Sequence, residues 1–220
     1  MKLDNTIVLM LLEGLGETLY MTVVSSLFAY LFGLPLGILL VVTDKNGILS
    51  RPRLNQLLGF VINVLRSVPF LILLVVVFPI TRLIVGKVIG STAAIVPLTI
   101  ASAPYVARLV EASLKEVDPG IVEAAESMGA SPFQIIEKVL LPEAKPALLN
   151  GAAIAITTII GYSAMAGFVG GGGLGDIATR YGLHRYQTDI MLITVAILVV
   201  VVQAMQELGE RLSKIFDKRI

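Results

Sequence analysis

Few side chains in this sequence could do covalent chemistry. The 220 residues include no Cys and a single His, His184, which stands beside Arg185. Disulfides, thiolate metal sites and Cys nucleophiles are therefore excluded, and His184 reads as a surface residue. The stretch "GGGGLGD" places Gly170, Gly172 and Gly175 at the spacing of a dinucleotide fingerprint. That fingerprint needs a preceding strand inside a βαβ unit. Here a long apolar run precedes it, and no Gly-Lys-Ser/Thr follows to make a phosphate-binding loop. The glycines serve better for close backbone approach or hinging.

The remaining candidates are polar or soft side chains inside apolar runs. Arg66 stands in "LRSVPF" with no acid well inside any run. A charge within a membrane span is a functional hypothesis by default. It could equally snorkel or pair structurally, and its partner could be a carbonyl or a bound carboxylate. "GYSAMAG" places Tyr162, Ser163 and Met165 together. Small residues let helices pack closely, and the polar groups would face away from lipid. Met165 is a polarisable side chain suited to meet another sulfur. Ordinary helix packing is the competing reading for each of them.

These residues need elements to hold them. The chain is 56% hydrophobic and 15% charged, with mean hydropathy +0.88, against about 45–50% and about 25% for a soluble domain. The apolar excess is gathered in long runs, so an all-α polytopic membrane protein is expected. Five spans are predicted, at about 15–42, 57–80, 93–110, 146–168 and 190–205. Pro97 and Pro104 interrupt the third, which neighbouring helices can tolerate. Glu13 and Glu17 fall at the interface before the first span. No cleavable signal peptide is legible at the N-terminus, so the first span would serve as its own insertion signal.

Orientation follows from Lys and Arg. With five spans, one side gathers Lys45, Arg51, Arg53, Arg108, Lys115, Lys138, Lys145, Arg211, Lys214, Lys218 and Arg219. The other gathers Lys2, Arg82, Lys87, Arg180 and Arg185. The richer side is expected in the cytoplasm, which puts the N-terminus outside and the C-terminus inside. The small net charge, +1, gives no footprint for nucleic acid.

Between the third and fourth spans lies a segment too polar to cross the membrane. Asp118 followed by Pro119 predicts a helix start, and Gly129 a left-handed stop. Ser131-Pro132-Phe133-Gln134 predicts a restart with a capping box, closed by Leu141-Pro142. Ile121, Ala125, Met128, Pro132, Ile136 and Val139 fall at spacings of three or four and predict one apolar face. From Lys115 to Lys145 the segment holds three Lys against five Glu and one Asp. Lipid-surface helices carry Lys and Arg on the polar face, so docking on another protein suits this acidic pair better. A plain structural elbow is the alternative.

The run "EAAESMGASPFQIIEKVLLP" resembles the EAA signature of ABC-importer permeases, in Glu123, Ala124, Ala125, Gly129, Ile136, Leu141 and Pro142. "LFGLPLGILLVVT", "NVLRSVPFLILLVVVFPITRLIVGKVIGSTAAIVPLTIASAPYVAR" and "IIGYSAMAGFVGGGGLGDIATRYG" are similar to the methionine-importer branch of that family. The resemblance implies a type I importer permease fold with five transmembrane helices and cytoplasmic coupling helices, over one permease domain, 1–220, with the coupling segment at about 118–142. It implies that Glu123, Ala124, Ala125, Met128, Gly129, Ala130, Phe133 and Ile136 meet an ATPase. It raises Tyr162, Ser163 and Met165 as a substrate path, to which Arg66 is added. The implied partners are a second copy of the chain, two cytoplasmic ATPase subunits, an external methionine-binding lipoprotein and lipid, in a bacterial inner membrane. No cofactor is expected in this chain, since ATP and Mg would belong to the ATPase; no metal site and no enzymatic activity are expected. The function implied is import of methionine. A permease for another amino acid or small osmolyte is the nearer alternative, and a stand-alone secondary transporter the farther one. The latter would leave the EAA segment unexplained and would call for repeated spans, which are not seen.

Overall fold

Long apolar stretches that find their hydrogen bonds internally become helices. The computed structural model describes residues 5–216 and, among them, contains helices and no strands. Lys2, Lys218 and Arg219, counted above for orientation, lie outside the described residues. Four helices are long and apolar enough to cross a membrane: α1 (Asn5–Val42), α5 (Ser91–Lys115), α9 (Lys145–Ala166) with its continuation to Val169, and α11 (Thr188–Phe216). A fifth span is obtained if α2 (Pro52–Ser67) and α3 (Phe70–Val76) are counted as one. The expected second span is thus not a single helix. Pro69 lacks the N–H that would continue α2, and Val77 separates α3 from α4 (Phe78–Val85). By contrast, α5 runs unbroken through Pro97 and Pro104. The first helix begins ten residues before the expected start at Leu15.

The chain divides into two compact units. One takes the chain to Phe28, then Val68–Ser102 and Ile156–Gln206; the other takes Ala29–Ser67, Ala103–Ala155 and the chain from Glu207. In the first, Met21, Phe70, Leu74, Ala94, Leu98 and Ala166 form a buried cluster. A second cluster joins Leu11 to Leu174, Ile177 and Ile190. Burying each of the larger of these side chains contributes about 1.5–3 kcal/mol in water; in lipid the gain is close packing instead.

In the second unit Leu40, Ile62 and Ala107 are buried together. Gly33 and Gly37 carry α1 against α5 there. A Cβ on Gly33 would stand 2.7 Å from the Ala103 carbonyl oxygen, and one on Gly37 2.6 Å from Val110 Cβ. This small-xxx-small seam lets two helix backbones approach. The apolar residues left over, such as Leu27 and Val200, are exposed, as lipid-facing residues of a span are.

Candidate functional site

The segment between α5 and α9 takes its shape from its caps. Asp118 accepts a hydrogen bond from the Gly120 N–H at 2.8 Å and starts α6 (Pro119–Ser127). Gly129 stops it at φ +82°. The Ala130 N–H donates to the Ala125 carbonyl and the Gly129 N–H to that of Glu126, the paired bonds of a Schellman stop. Ser131 then caps α7 (Pro132–Ile135). The Ser131 hydroxyl accepts from the Gln134 N–H, and the Gln134 side chain accepts from the Ser131 N–H at 2.8 Å.

Leu141-Pro142 does not close this piece, contrary to the sequence expectation. One wide turn, Ile136–Leu140, has the Leu141 N–H donating to the Ile136 carbonyl. That five-residue bond shifts the helical register ahead of Pro142, and the chain proceeds through α8 (Leu141–Glu143) into α9. The expected apolar face also changes. Ala125 is buried, but so are Ile135 and Leu140, while Ile121 and Met128 are exposed and Pro132, Ile136 and Val139 are half-buried. The stop at Gly129 and the wide turn each reset the phase, which a single run of spacings cannot follow.

What remains outward is specific. Met128 is 83% and Phe133 71% exposed, and they flank the Gly129 turn. Glu123, Ala124 and Gly129 are exposed, Ala130 is half-buried and Ala125 is not accessible. Beside α6 runs a groove of about 370 Å³ whose lining includes Asp44, Gly47, Lys115, Pro119, Glu123 and Glu126. A chain of charges holds its wall. Lys115 Nζ lies 3.0 Å from Asp44 and 2.9 Å from Glu111. Arg108 reaches Glu111 at 2.6 Å, Asn63 at 2.8 Å and the Gly59 carbonyl at 3.1 Å. The Lys115 ammonium, helped by the Lys45 N–H, holds the Asp44 carboxyl below the usual carboxylate range. Sequence reading missed this network, although Arg108, Glu111 and Lys115 stand at helix-neighbour spacing.

In the first unit, the Tyr162 ring stacks on Phe70 with centroids 4.6 Å apart. Ser163 is 1% exposed, and its hydroxyl donates to the Ile160 carbonyl at 2.8 Å. It therefore presents no free group. Met165 is 44% exposed, one turn beyond Tyr162.

The glycine run after α9 is held by the first helix. The Glu17 carboxylate accepts from the Gly173 N–H at 2.6 Å, and the Thr18 hydroxyl accepts from the Leu174 N–H at 2.9 Å while donating to the Gly14 carbonyl. Glu17 thus lies within α1, not ahead of it, and is partnered. Gly170, Gly172 and Gly173 have positive φ. A Cβ on Gly175 or Gly167 would overlap backbone of the facing segment, so α9 and α10 (Gly173–Ile177) pack backbone to backbone. His184 is exposed, and the Arg185 guanidinium lies 4.7 Å from the Tyr181 ring centre.

Arg66 lies in the second unit, in the last turn of α2, exposed. Its guanidinium carbon is 5.8 Å from the centre of the Tyr105 ring. Among the described residues no cluster of three or more His, Asp or Glu could hold a metal.

The profile of the family described as "Binding-protein-dependent transport system inner membrane component" matches residues 33–220. A probable D-methionine transport system permease protein of Vibrio cholerae is 54% identical over 210 residues, 96% of this chain and 93% of that protein. The D-methionine transport system permease protein of Escherichia coli K12 is 51% identical over 158 residues, 72% of this chain and 73% of that one. Among solved structures, a chain of the MetNI methionine ABC transporter in an inward-facing conformation superposes with a TM-score of 0.97 at 45% identity, covering 98% of this chain and 100% of that one. A chain of an amino acid ABC transporter, solved with histidines, has a TM-score of 0.76 at 24% identity over the full length of both, which speaks for the fold.

Proposed function

The chain belongs to the family of binding-protein-dependent transport inner membrane components, and from that premise we propose that it is the methionine permease of an ATP-driven importer. It is a multi-pass inner-membrane protein of the type I permease fold and performs no covalent chemistry itself. It works as a pair of copies with two ATPase subunits on the cytoplasmic side and an external methionine-binding lipoprotein. The observation that carries this reading is the near-complete superposition on the MetNI methionine transporter chain, 98% of this chain at 0.97. The rival, a stand-alone secondary transporter, gives the exposed Met128 and Phe133 on an acidic segment no task.

Within that reading the coupling face is Glu123, Ala124, Met128, Gly129, Ala130, Phe133 and Ile136, with the buried Ala125 holding α6 in place. Met128 and Phe133 are apolar anchors of the kind that fill pockets in a partner, and Glu123 adds charge beside them. ATP and Mg are held by the ATPase and not by this chain. The residues assigned to the substrate path are Tyr162, Ser163, Met165 and Arg66, with Ser163 supporting the helix that carries Tyr162 and Met165 through its bond to the Ile160 carbonyl. Residues 1–220 act as one permease domain. The N-terminus lies outside and the C-terminus in the cytoplasm, which puts α6 and α7 on the side where ATP is found.

Reconstitution tests this. The chain, co-expressed with its ATPase and binding lipoprotein, should take methionine into vesicles only with ATP present and only with all three components. Uptake by this chain alone, driven by an ion gradient, would sink the reading.

A further inference from the structure

The two arginines that flank the α2–α5 layer are treated differently. Arg108 is paired: Glu111, Asn63 and the Gly59 carbonyl all accept from its terminal nitrogens. Arg66, two turns along α2 from Gly59, has no carboxylate within ion-pair distance among the described residues. Its neighbour is the face of Tyr105, which attracts a cation but does not neutralise it. Arg66 is also exposed, and it stands where an apolar run is broken. α2 ends at Ser67, Ser67 turns its hydroxyl back onto the Asn63 carbonyl at 2.8 Å, and Pro69 has no N–H to continue the helix.

In secondary transporters discontinuous helices line the substrate site, and here too an apolar run is broken, at Pro69 beside Arg66. An uncompensated cation in such a run is costly unless an anion meets it in the working state. A guanidinium takes a carboxylate by two parallel hydrogen bonds. We propose that Arg66, oriented by the Tyr105 ring, is the residue that receives the carboxylate of the amino-acid substrate. This rests on the methionine-import reading and deepens it: Arg66 would meet the part common to every amino acid. Tyr105 acts through Arg66 as a positioning residue.

The test uses the assembled permease–ATPase complex in nanodiscs without the binding lipoprotein, so that the lipoprotein imposes no selection. Radiolabelled L-methionine is competed by norleucine, which keeps the carboxylate and lacks sulfur, and by methioninol, which keeps sulfur and lacks the carboxylate. In the wild type norleucine should compete and methioninol should be weaker by about tenfold or more, the factor that 1.4 kcal/mol represents. Arg66→Gln should erase that difference, and Arg66→Lys should keep part of it. Tyr105→Leu should shrink the difference without moving the norleucine-to-methionine ratio. If Arg66→Gln yields no complex, Arg66→Lys decides, because an ammonium cannot reproduce the two-bonded pair. An unchanged norleucine-to-methioninol ratio in the folded variants overturns the proposal. So does a ratio that follows the anionic lipid content of the nanodisc, which would make a lipid headgroup the anion. If the wild-type complex binds neither methionine nor norleucine here yet imports methionine once the lipoprotein is restored, the import reading stands and the carboxylate assignment is overturned.

Discussion

Glu17 and Gly173 are 156 positions apart in the chain, and the Glu17 carboxylate accepts the Gly173 N–H at 2.6 Å. The next residue on each side repeats the contact, Thr18 to Leu174. Thr18 and Leu174 are 1% and 0% exposed. Thr18→Val would leave the buried Leu174 N–H without its acceptor, at a cost of about 1–3 kcal/mol. Glu17→Ala also takes the acceptor from the Gly173 N–H, but Glu17 is exposed and water can take the place of its carboxylate, so the loss should be smaller. The order of the two, read as thermal unfolding of the purified complex, is the expectation. Equal effects would show that the carboxylate holds the glycine run as firmly as the hydroxyl, and a larger loss in Glu17→Ala would reverse the order.

Gly129 has φ +82°, and a Cβ there would meet nothing within 4 Å. Any damage from Gly129→Val therefore comes from backbone strain, about 1–2 kcal/mol for an L residue in the left-handed region. The variant should insert in the membrane but lose ATPase co-purification or ATP-driven uptake, because the capping box at Ser131 is displaced. Normal uptake in Gly129→Val would argue that α7 does not need its present direction.

Asn46 and His184 are both exposed, and the sequence contains no Cys to interfere. With Asn46→Cys and His184→Cys made singly, an impermeant thiol reagent added to intact cells with a permeable outer membrane should label position 184 and spare position 46. The opposite pattern would invert the chain and remove α6 from the cytoplasm.

Met165 is 44% exposed, so little packing is lost in Met165→Ala, and surface changes fall within about 0.5 kcal/mol. Sulfur contacts are worth about 0.3–1.5 kcal/mol. The expected outcome is normal complex yield with methionine favoured over norleucine by up to about tenfold less than in the wild type. Tyr162→Leu should lower yield as well, since the ring stacks on Phe70 in a buried cluster. An unchanged methionine-to-norleucine ratio in both variants would make these residues packing alone.

The parts of the fold legible in the sequence are those decided within four residues. The Asp118 cap, the left-handed Gly129 and the Ser131–Gln134 box each depend on local hydrogen bonds, and each was read in place. Apolar runs likewise foretold α1, α5, α9 and α11. What escaped was decided at a distance or by competition. Pro97 and Pro104 leave α5 intact, whereas Pro69 ends α2; residue type alone does not tell these apart. Ile135, and not Ile136, is buried, because the stop at Gly129 and the restart at Ser131 reset the helical phase carried from Ala125. The partners of Glu17 lie on a segment that no spacing rule reaches.

The wide turn has a mechanical consequence. A prolyl break at Pro142 would have made a slack joint, across which a push at Phe133 dissipates as bending. Instead the backbone bonds run on: the Ala144 N–H donates to the Leu140 carbonyl at 3.0 Å and the Leu148 N–H to the Ala144 carbonyl at 2.8 Å. The piece that begins at the Ser131 cap therefore reaches α9 with backbone hydrogen bonds spanning the joint and no loop between them. A displacement of α7 has no slack linker there in which to be absorbed.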